Sequence, residues 1–366
     1  MTFRQIAQFL NPAQKLPKEA EKPPASTGCL AGSVEETRRS PAPEEPAAGV
    51  GGGSPPLEGG GYKSSWNRTS MTIAGAFAAV DGSPDEEVLR LHGAYMADMI
   101  AAALLVSETD RVLEIGCGVG RLGRELAPRC GRWIGADISE NMIAIARERT
   151  QHLPNVEFTA LTRTALDAFP DNSLDKVYSH AVFIHLDKVD LFLYLQEIAR
   201  VLRPGGLFYF DTWNLADEVG WKRWLIEVNQ PPDPNQPWRK DPLSNQFSVP
   251  AEIGLYLKHA GLCELLLTSD SFWIQTVATK ATGLAPSAIE SLRERVERNR
   301  PRIVPTPIFR ELFAAQVEFM TGRLSPAEAY RHLSQMPDSR EVTLYRTWLE
   351  RLWQLNQTQW GPYPPK

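Results

Sequence analysis

In the run Val112-Leu113-Glu114-Ile115-Gly116-Cys117-Gly118-Val119-Gly120-Arg121, a carboxylate stands two residues before three alternating glycines. Glycines at a turn reach positive φ and let a ligand approach the backbone with no Cβ in the way. The acid narrows the ligand. Glu114 would repel an anionic pyrophosphate and attract a cationic amino group, and the G-x-G-x-G spacing differs from the G-x-G-x-x-G of dinucleotide sites. A second acid, Asp137 in Ile134-Gly135-Ala136-Asp137-Ile138-Ser139, can accept both hydroxyls of a ribose, each charge-assisted bond being worth ~1.5–3 kcal/mol. Met142, shortly after it, offers a soft thioether to pack against an adenine.

These residues need elements to hold them. Arg111–Cys117 reads as a short apolar strand and Arg121–Arg129 as a helix; Trp133–Ile138 is the next strand, followed by a helix capped by Ser139 and running to about Arg149. Val156–Leu161, Lys176–Val182 and Leu207–Trp213 read as further strands, with helices at Lys188–Leu202 and Pro250–His259. Upstream, Ser83-Pro84-Asp85-Glu86 has the look of an N-cap, a Pro at N1 and a first-turn acid opening a helix to about Leu105. Strand–helix alternation predicts an α/β fold, a Rossmann-like doubly wound sheet that is mostly parallel. Glu264–Thr268 and Trp273–Thr279 form a terminal hairpin that adds an antiparallel strand, and a helical appendage follows from Ser287 to Gln357. Residues 1–61, with nine prolines and nine glycines, predict a disordered leader whose one apolar face is Phe3, Ile6, Phe9 and Leu10. The expected division is leader 1–61, main domain 62–282 with a lid-like insertion at about 214–249, and C-terminal helices 283–366.

Four elements in order then carry a resemblance: Glu114-x-Gly116-x-Gly118-x-Gly120, Asp137, Phe169-Pro170-Asp171-Asn172-Ser173-Leu174-Asp175-Lys176-Val177-Tyr178-Ser179, and Leu202-Arg203-Pro204-Gly205-Gly206. Over about Tyr62–Lys280 the chain resembles the class I S-adenosylmethionine-dependent methyltransferases, in their small-molecule branch. The resemblance implies S-adenosyl-L-methionine as cofactor, with Gly116, Cys117 and Gly118 against its methionine part, Glu114 on its ammonium and Asp137 on its ribose diol. Ile138 and Met142 would flank the adenine, and Ser179 joins the cofactor-binding set. One departure is visible. The acid or Asn usual after the third strand is missing from Ala160-Leu161-Thr162-Arg163-Thr164, so Thr162 or a backbone carbonyl must meet the adenine amino group.

Methyl transfer from a sulfonium is an in-line displacement, so the protein aligns the acceptor and, for a hydroxyl or carbon acid, removes a proton. His180, in Ser179-His180-Ala181-Val182-Phe183-Ile184-His185-Leu186, stands where the strand end faces the acceptor and is the expected base. His185 reads as packing, and Asp211, ending the fifth strand, as a group for acceptor or base. The Asn/Asp-Pro-Pro-aromatic segment of amino-methylating nucleic-acid enzymes is absent. Trp213, Trp221, Trp224 and Trp238 suit either a lid over the acceptor or a satellite core, and Tyr62 and Trp66 a cover on the cofactor side. The arginines Arg293–Arg302, interleaved with Glu294 and Glu297, read as a solvated helix face. Tyr345, Trp348, Leu352 and Trp353 read as core or as the contact of a homodimer through the C-terminal helices.

A net charge of −5 argues against broad binding to nucleic acid or anionic lipid. Four cysteines without C-x-x-C pairing or zinc spacing point to a reducing compartment and no metal site. With no signal peptide, and Ala94–Val106 too short to span a bilayer, the expectation is a cytoplasmic protein without membrane contact, acting on a small-molecule acceptor through an O, N or C nucleophile. The rivals are a non-catalytic cofactor-binding scaffold, an RNA methyltransferase and an NAD-dependent oxidoreductase.

Overall fold

The computed structural model describes residues 61–229 and 243–365. The expected leader with its Phe3–Leu10 face, and Trp238 in the insertion, lie outside the described residues.

Among the described residues seven main strands form one sheet: β1 (Arg111–Ile115), β2 (Arg132–Asp137), β3 (Val156–Ala160), β4 (Leu174–Ser179), β5 (Leu202–Asn214), β7 (Leu262–Leu267) and β8 (Trp273–Lys280). Their spatial order is β3-β2-β1-β4-β5-β8-β7, and the two-residue β6 (Phe247–Ser248) pairs with the end of β5. All pair in parallel except β8, which runs antiparallel to β5 on one side and β7 on the other. The hairpin therefore ends the sheet as expected, with β7 on the outer edge. Val112, Leu113 and Ile115 of β1 and Val177 and Tyr178 of β4 are fully buried, as central parallel strands covered on both faces must be. Chain order reverses between β1 and β4, and a crevice opens beyond their C-terminal ends.

Among the described residues three helices precede the sheet: α1 (Tyr62–Thr69), α2 (Ile73–Asp81) and α3 (Glu86–Leu104). The cap of α3 is Asp85, whose Oδ1 accepts from the backbone N–H of Glu87 and Val88, whereas Ser83 accepts only from Asp85 N–H at 3.3 Å. A carboxylate meeting two first-turn donors outcompetes the hydroxyl, so the helix starts later than Ser83-Pro84 suggested. The helix expected over Arg121–Arg129 is only α4 (Gly123–Leu126), continued by a 3-10 turn over Ala127–Arg129. Pro128 has no N–H to donate and cannot extend an α-helix.

Next come α5 (Glu140–Thr150, capped by Ser139), α6 (Lys188–Val201), α7 (Glu218–Val228) and α8 (Pro250–Ala260). The C-terminal region comprises α9 (Pro286–Arg298), α10 (Arg300–Ile303), α11 (Pro307–Met320), α12 (Pro326–Gln335), α13 (Arg340–Leu355) and α14 (Gln357–Trp360). On one sheet face α6 and α8 cover Leu113, Val177, Phe208 and Ile274. On the other, Val112, Tyr178, Tyr209 and Val277 share a single apolar core with α3 and with Phe309, Tyr345, Trp348 and Leu352 of the C-terminal helices. The aromatic stripe of α13 is thus core of the same protomer, and its residues are not free to make a dimer contact. No helix among the described residues is long and apolar enough to cross a membrane.

Candidate active site

The crevice holds a pocket of about 1100 Å³, open mouth included, walled by the turn after β1, the ends of β2 and β4, and α1. The turn folds back because the N–H groups of Gly116 and Cys117 both donate to Ala136 O, at 2.7 and 3.0 Å. Gly116 has φ +74°, and a Cβ there would lie 2.4 Å from Val182 Cγ2. Only glycine lets this backbone floor the pocket.

Two acids face the same space, both nearly fully buried. Glu114 accepts from Tyr178 Oη at 2.7 Å, and Tyr178 Oη in turn accepts from Trp133 Nε1 at 3.0 Å. Burial pushes the Glu114 carboxyl up to about 8, against the opposing pull of the Tyr178 hydrogen bond and the Arg121 charge. Asp137 accepts from Gly118 N–H at 2.7 Å and Ser139 N–H at 2.8 Å. Burial raises it to about 6, offset in part by those donors. Two carboxylates so desolvated call for an ionic and hydroxylic guest. An ammonium beside Glu114 and a diol beside Asp137 supply it, so the donor chemistry fits an aminoacyl nucleoside.

Gly116, Cys117, Gly118, Ile138 and Met142 also line the pocket. Cys117 is a buried thiol whose pKa burial pushes well up, so it presents as an apolar surface. Two expected residues do not line it. Ser179 is fully buried and spends its hydroxyl on Ile115 O at 3.0 Å, tying β4 to β1. Thr162 is exposed, and the residues of that segment at the pocket are Leu161 and Thr164. Tyr62 and Trp66 of α1 line the cofactor-side wall; Tyr62 Oη accepts from Asp187 N–H at 3.1 Å.

His180 follows β4 with its side chain 3% exposed, and its Nδ1 is hydrogen-bonded to Asp211 Oδ2. Asp211 also accepts from Ala181 N–H at 2.9 Å and from Tyr209 Oη at 3.3 Å. A carboxylate met by donors fixes the Nδ1–H tautomer and leaves the lone pair on Nε2. Among the described residues Nε2 makes no hydrogen bond. Ala181 holds φ +57°, a conformation that costs a non-glycine residue and is retained here next to the histidine, both residues lining the pocket. His185, expected as packing, also lines the pocket: its Nδ1 meets Leu243 O at 3.0 Å, and burial pushes its pKa down to about 3, so it is neutral. Trp213, Trp221 and Trp224 do not line the pocket. Trp213 packs in the aromatic cluster of Phe247, Phe272, Trp273 and Phe313, as the satellite-core alternative has it, whereas Trp221 is 46% exposed and meets Trp224 with ring centroids 4.8 Å apart.

Sequence reasoning passed over Arg121, Thr164 and Tyr194, all of which line the pocket. Arg121 alone had a local signal, its place directly after the last glycine.

Residues 112–206 match the model of a family described as a methyltransferase domain. A methyltransferase of Streptomyces halstedii, GfsG, is 34% identical over 118 residues, covering 31% of this chain and 41% of that protein. A ubiquinone biosynthesis O-methyltransferase of Sinorhizobium fredii is 39% identical over 105 residues, covering 28% and 41%. A sterol 24-C-methyltransferase of Gibberella zeae is 34% identical over 144 residues, covering 37% and 35%. The chain thus spans less than half the length of these relatives. A solved S-adenosylmethionine-dependent methyltransferase from Aquifex aeolicus aligns with 57% of this chain and 98% of its own at 19% identity and a TM-score of 0.41, too weak a likeness to carry function. Residues 112–206, which carry the glycine turn and both buried acids, are thus similar to a methyltransferase domain.

Proposed function

We propose that the protein transfers a methyl group from S-adenosylmethionine to a small-molecule acceptor whose hydroxyl or acidic carbon must lose a proton. The observation carrying this reading is His180, hydrogen-bonded to the buried Asp211 behind it, in the wall of the pocket that also presents Glu114 and Asp137. When bound, the cofactor supplies an electrophilic methyl on a sulfonium. Glu114 would hold its ammonium, Asp137 its ribose hydroxyls, and Ile138 and Met142 its base, while the bare turn Gly116–Gly118 admits it.

Asp211 keeps the Nδ1 proton in place, so His180 Nε2 is the acceptor for the proton of the substrate. Asp211 also stabilises the imidazolium that forms, a role in which a positioned base contributes roughly 10²–10⁴-fold. The apolar and aromatic walls from Trp66, Ile184 and Tyr194 favour an acceptor with a flat or aliphatic body.

The test is transfer of labelled methyl from S-adenosylmethionine into a small-metabolite extract by wild type, His180→Gln and Asp211→Asn. The expected result is a labelled small product whose formation falls at least ~10²-fold in both variants with cofactor affinity retained. Wild-type turnover by His180→Gln would remove the base and leave alignment alone as the source of rate.

A further inference from the structure

Asp211 holds the turn after β4 at two points. Its Oδ2 is hydrogen-bonded to His180 Nδ1, and its Oδ1 accepts from Ala181 N–H at 2.9 Å. The carboxylate thus clasps both the ring of the base and the backbone beside it, where φ is +57°. Such a clasp works only if it is itself held, and Asp211 is 1% exposed, beyond the reach of bulk water. A third donor meets it there: Tyr209 Oη, 3.3 Å from Oδ2. Tyr209 lies two residues earlier on β5, so both side chains leave the same face of the sheet. Burial, reinforced by the Asp211 charge, pushes the Tyr209 pKa well up against the pull of the Gln275 amide, so the group is a neutral hydroxyl that donates.

Neighbouring strands and helices hold this arrangement in place. Gln275 of β8 stands directly opposite Asp211, and its Nε2 donates to Ile303 O of α10 at 2.7 Å. The Trp273 ring stands edge-on to the His180 ring, with centroids 5.7 Å apart and planes at 90°, and walls one side of the imidazole. Tyr209, Asp211, Trp273 and Gln275 all lie beyond the stretch 112–206 that matches the methyltransferase domain. A histidine base is lost when its proton moves to Nε2, because the lone pair then points at the carboxylate instead of the acceptor. A carboxylate oxygen shared by an imidazole and a phenol cannot turn away without giving up both bonds. We propose that Tyr209 is a positioning residue for the transfer: its hydroxyl locks the Asp211 carboxylate and so keeps His180 in the tautomer whose Nε2 takes the proton of the acceptor. This deepens the reading of His180 as the base and rests on it.

Nitrogen NMR of the full chain, labelled at its histidine nitrogens and bound to S-adenosylhomocysteine, reads the tautomer without turnover. His180→Gln identifies which of the six histidine signals belongs to His180. Wild type should show the Nδ1–H tautomer alone. Tyr209→Phe fills the same space and removes only the hydroxyl, so the core is kept. It should bring in the Nε2–H form and lower kcat for labelled-methyl transfer into the metabolite extract by about 10-fold, as the loss of a hydrogen bond to a charged group does. Its KM for S-adenosylmethionine should change by less than about twofold. A Tyr209→Phe variant that keeps the wild-type tautomer, or the wild-type rate, makes the hydroxyl a matter of stability alone and overturns the proposal. The base reading fails separately: if His180 of the wild type carries its proton on Nε2, or His180→Gln keeps wild-type turnover, that reading falls and this inference with it.

Discussion

Burial sets the charge state of the pocket acids before any ligand arrives. Glu114 titrates near 8 in the folded chain and at about 4.5 when exposed, Asp137 near 6 against about 3.8. Across those windows the folded state holds protons that the unfolded state has released, so ligand-free stability falls as pH rises. From pH 6 to 8 only Glu114 contributes of the two. Wild type should therefore lose stability relative to Glu114→Gln by up to ~1.4 kcal/mol per pH unit there, and denaturant melts at several pH values check it. Parallel curves would mean that Glu114 is ionised in the free protein. The same acid predicts that a cationic amino ligand binds more tightly toward pH 8 in wild type than in Glu114→Gln, because the proton no longer has to be displaced. At Ala181, φ +57° favours glycine, so Ala181→Gly should leave stability equal or raise it, by up to about 1 kcal/mol in thermal melts.

Caps and strand ends, not helix or strand interiors, separate sequence from structure at the next scale. Asp85 receives two first-turn N–H groups of α3, so Asp85→Ala should cost ~1 kcal/mol while Ser83→Ala costs a few tenths, measured as ΔΔG of unfolding. Equal costs would return the cap to Ser83. The strand order and the glycine turn were legible because Val112–Ile115, Ile134–Asp137 and Val177–Tyr178 are short apolar runs punctuated by glycine and acid. The pocket acids were legible for the same reason: each lies at the C-terminal end of its strand, Asp137 last and Glu114 next to last, within a local pattern. What the chain did not disclose is whatever depends on which strands become neighbours. The Trp133–Tyr178–Glu114 hydrogen-bond chain links β2, β4 and β1, and the Arg121–Asp81 pair bridges 40 positions. Thr162 lies off the pocket that Leu161 and Thr164 line, in a loop where no periodicity fixes which side chain turns inward. His180 and Asp211 were each named, but their pairing follows from the side-by-side registration of β4 and β5.

The whole molecule buries its C-terminal helices in the same core as the sheet. Phe309 of α11 stacks on Tyr95 of α3 at 5.1 Å and packs against Trp273 of β8 at 6.0 Å. Phe309→Ala should cost about 3–5 kcal/mol of global stability and unfold in one transition with the sheet. A separate, earlier transition would mark residues 283–366 as an independent unit. That shared core also takes in Tyr345, an arrangement that sequence alone could not give because the stripe of α13 suits a core and a dimer equally. The claim on which the rest depends is that this pocket is an S-adenosylmethionine site. Calorimetric titration of the full chain and of Asp137→Ala with S-adenosylmethionine and with a nicotinamide dinucleotide tests it most directly. The prediction is binding of S-adenosylmethionine that weakens by about 2–3 kcal/mol in a folded Asp137→Ala, with no comparable affinity for the dinucleotide. Unchanged affinity in that variant, or tighter binding of the dinucleotide by wild type, would contradict it.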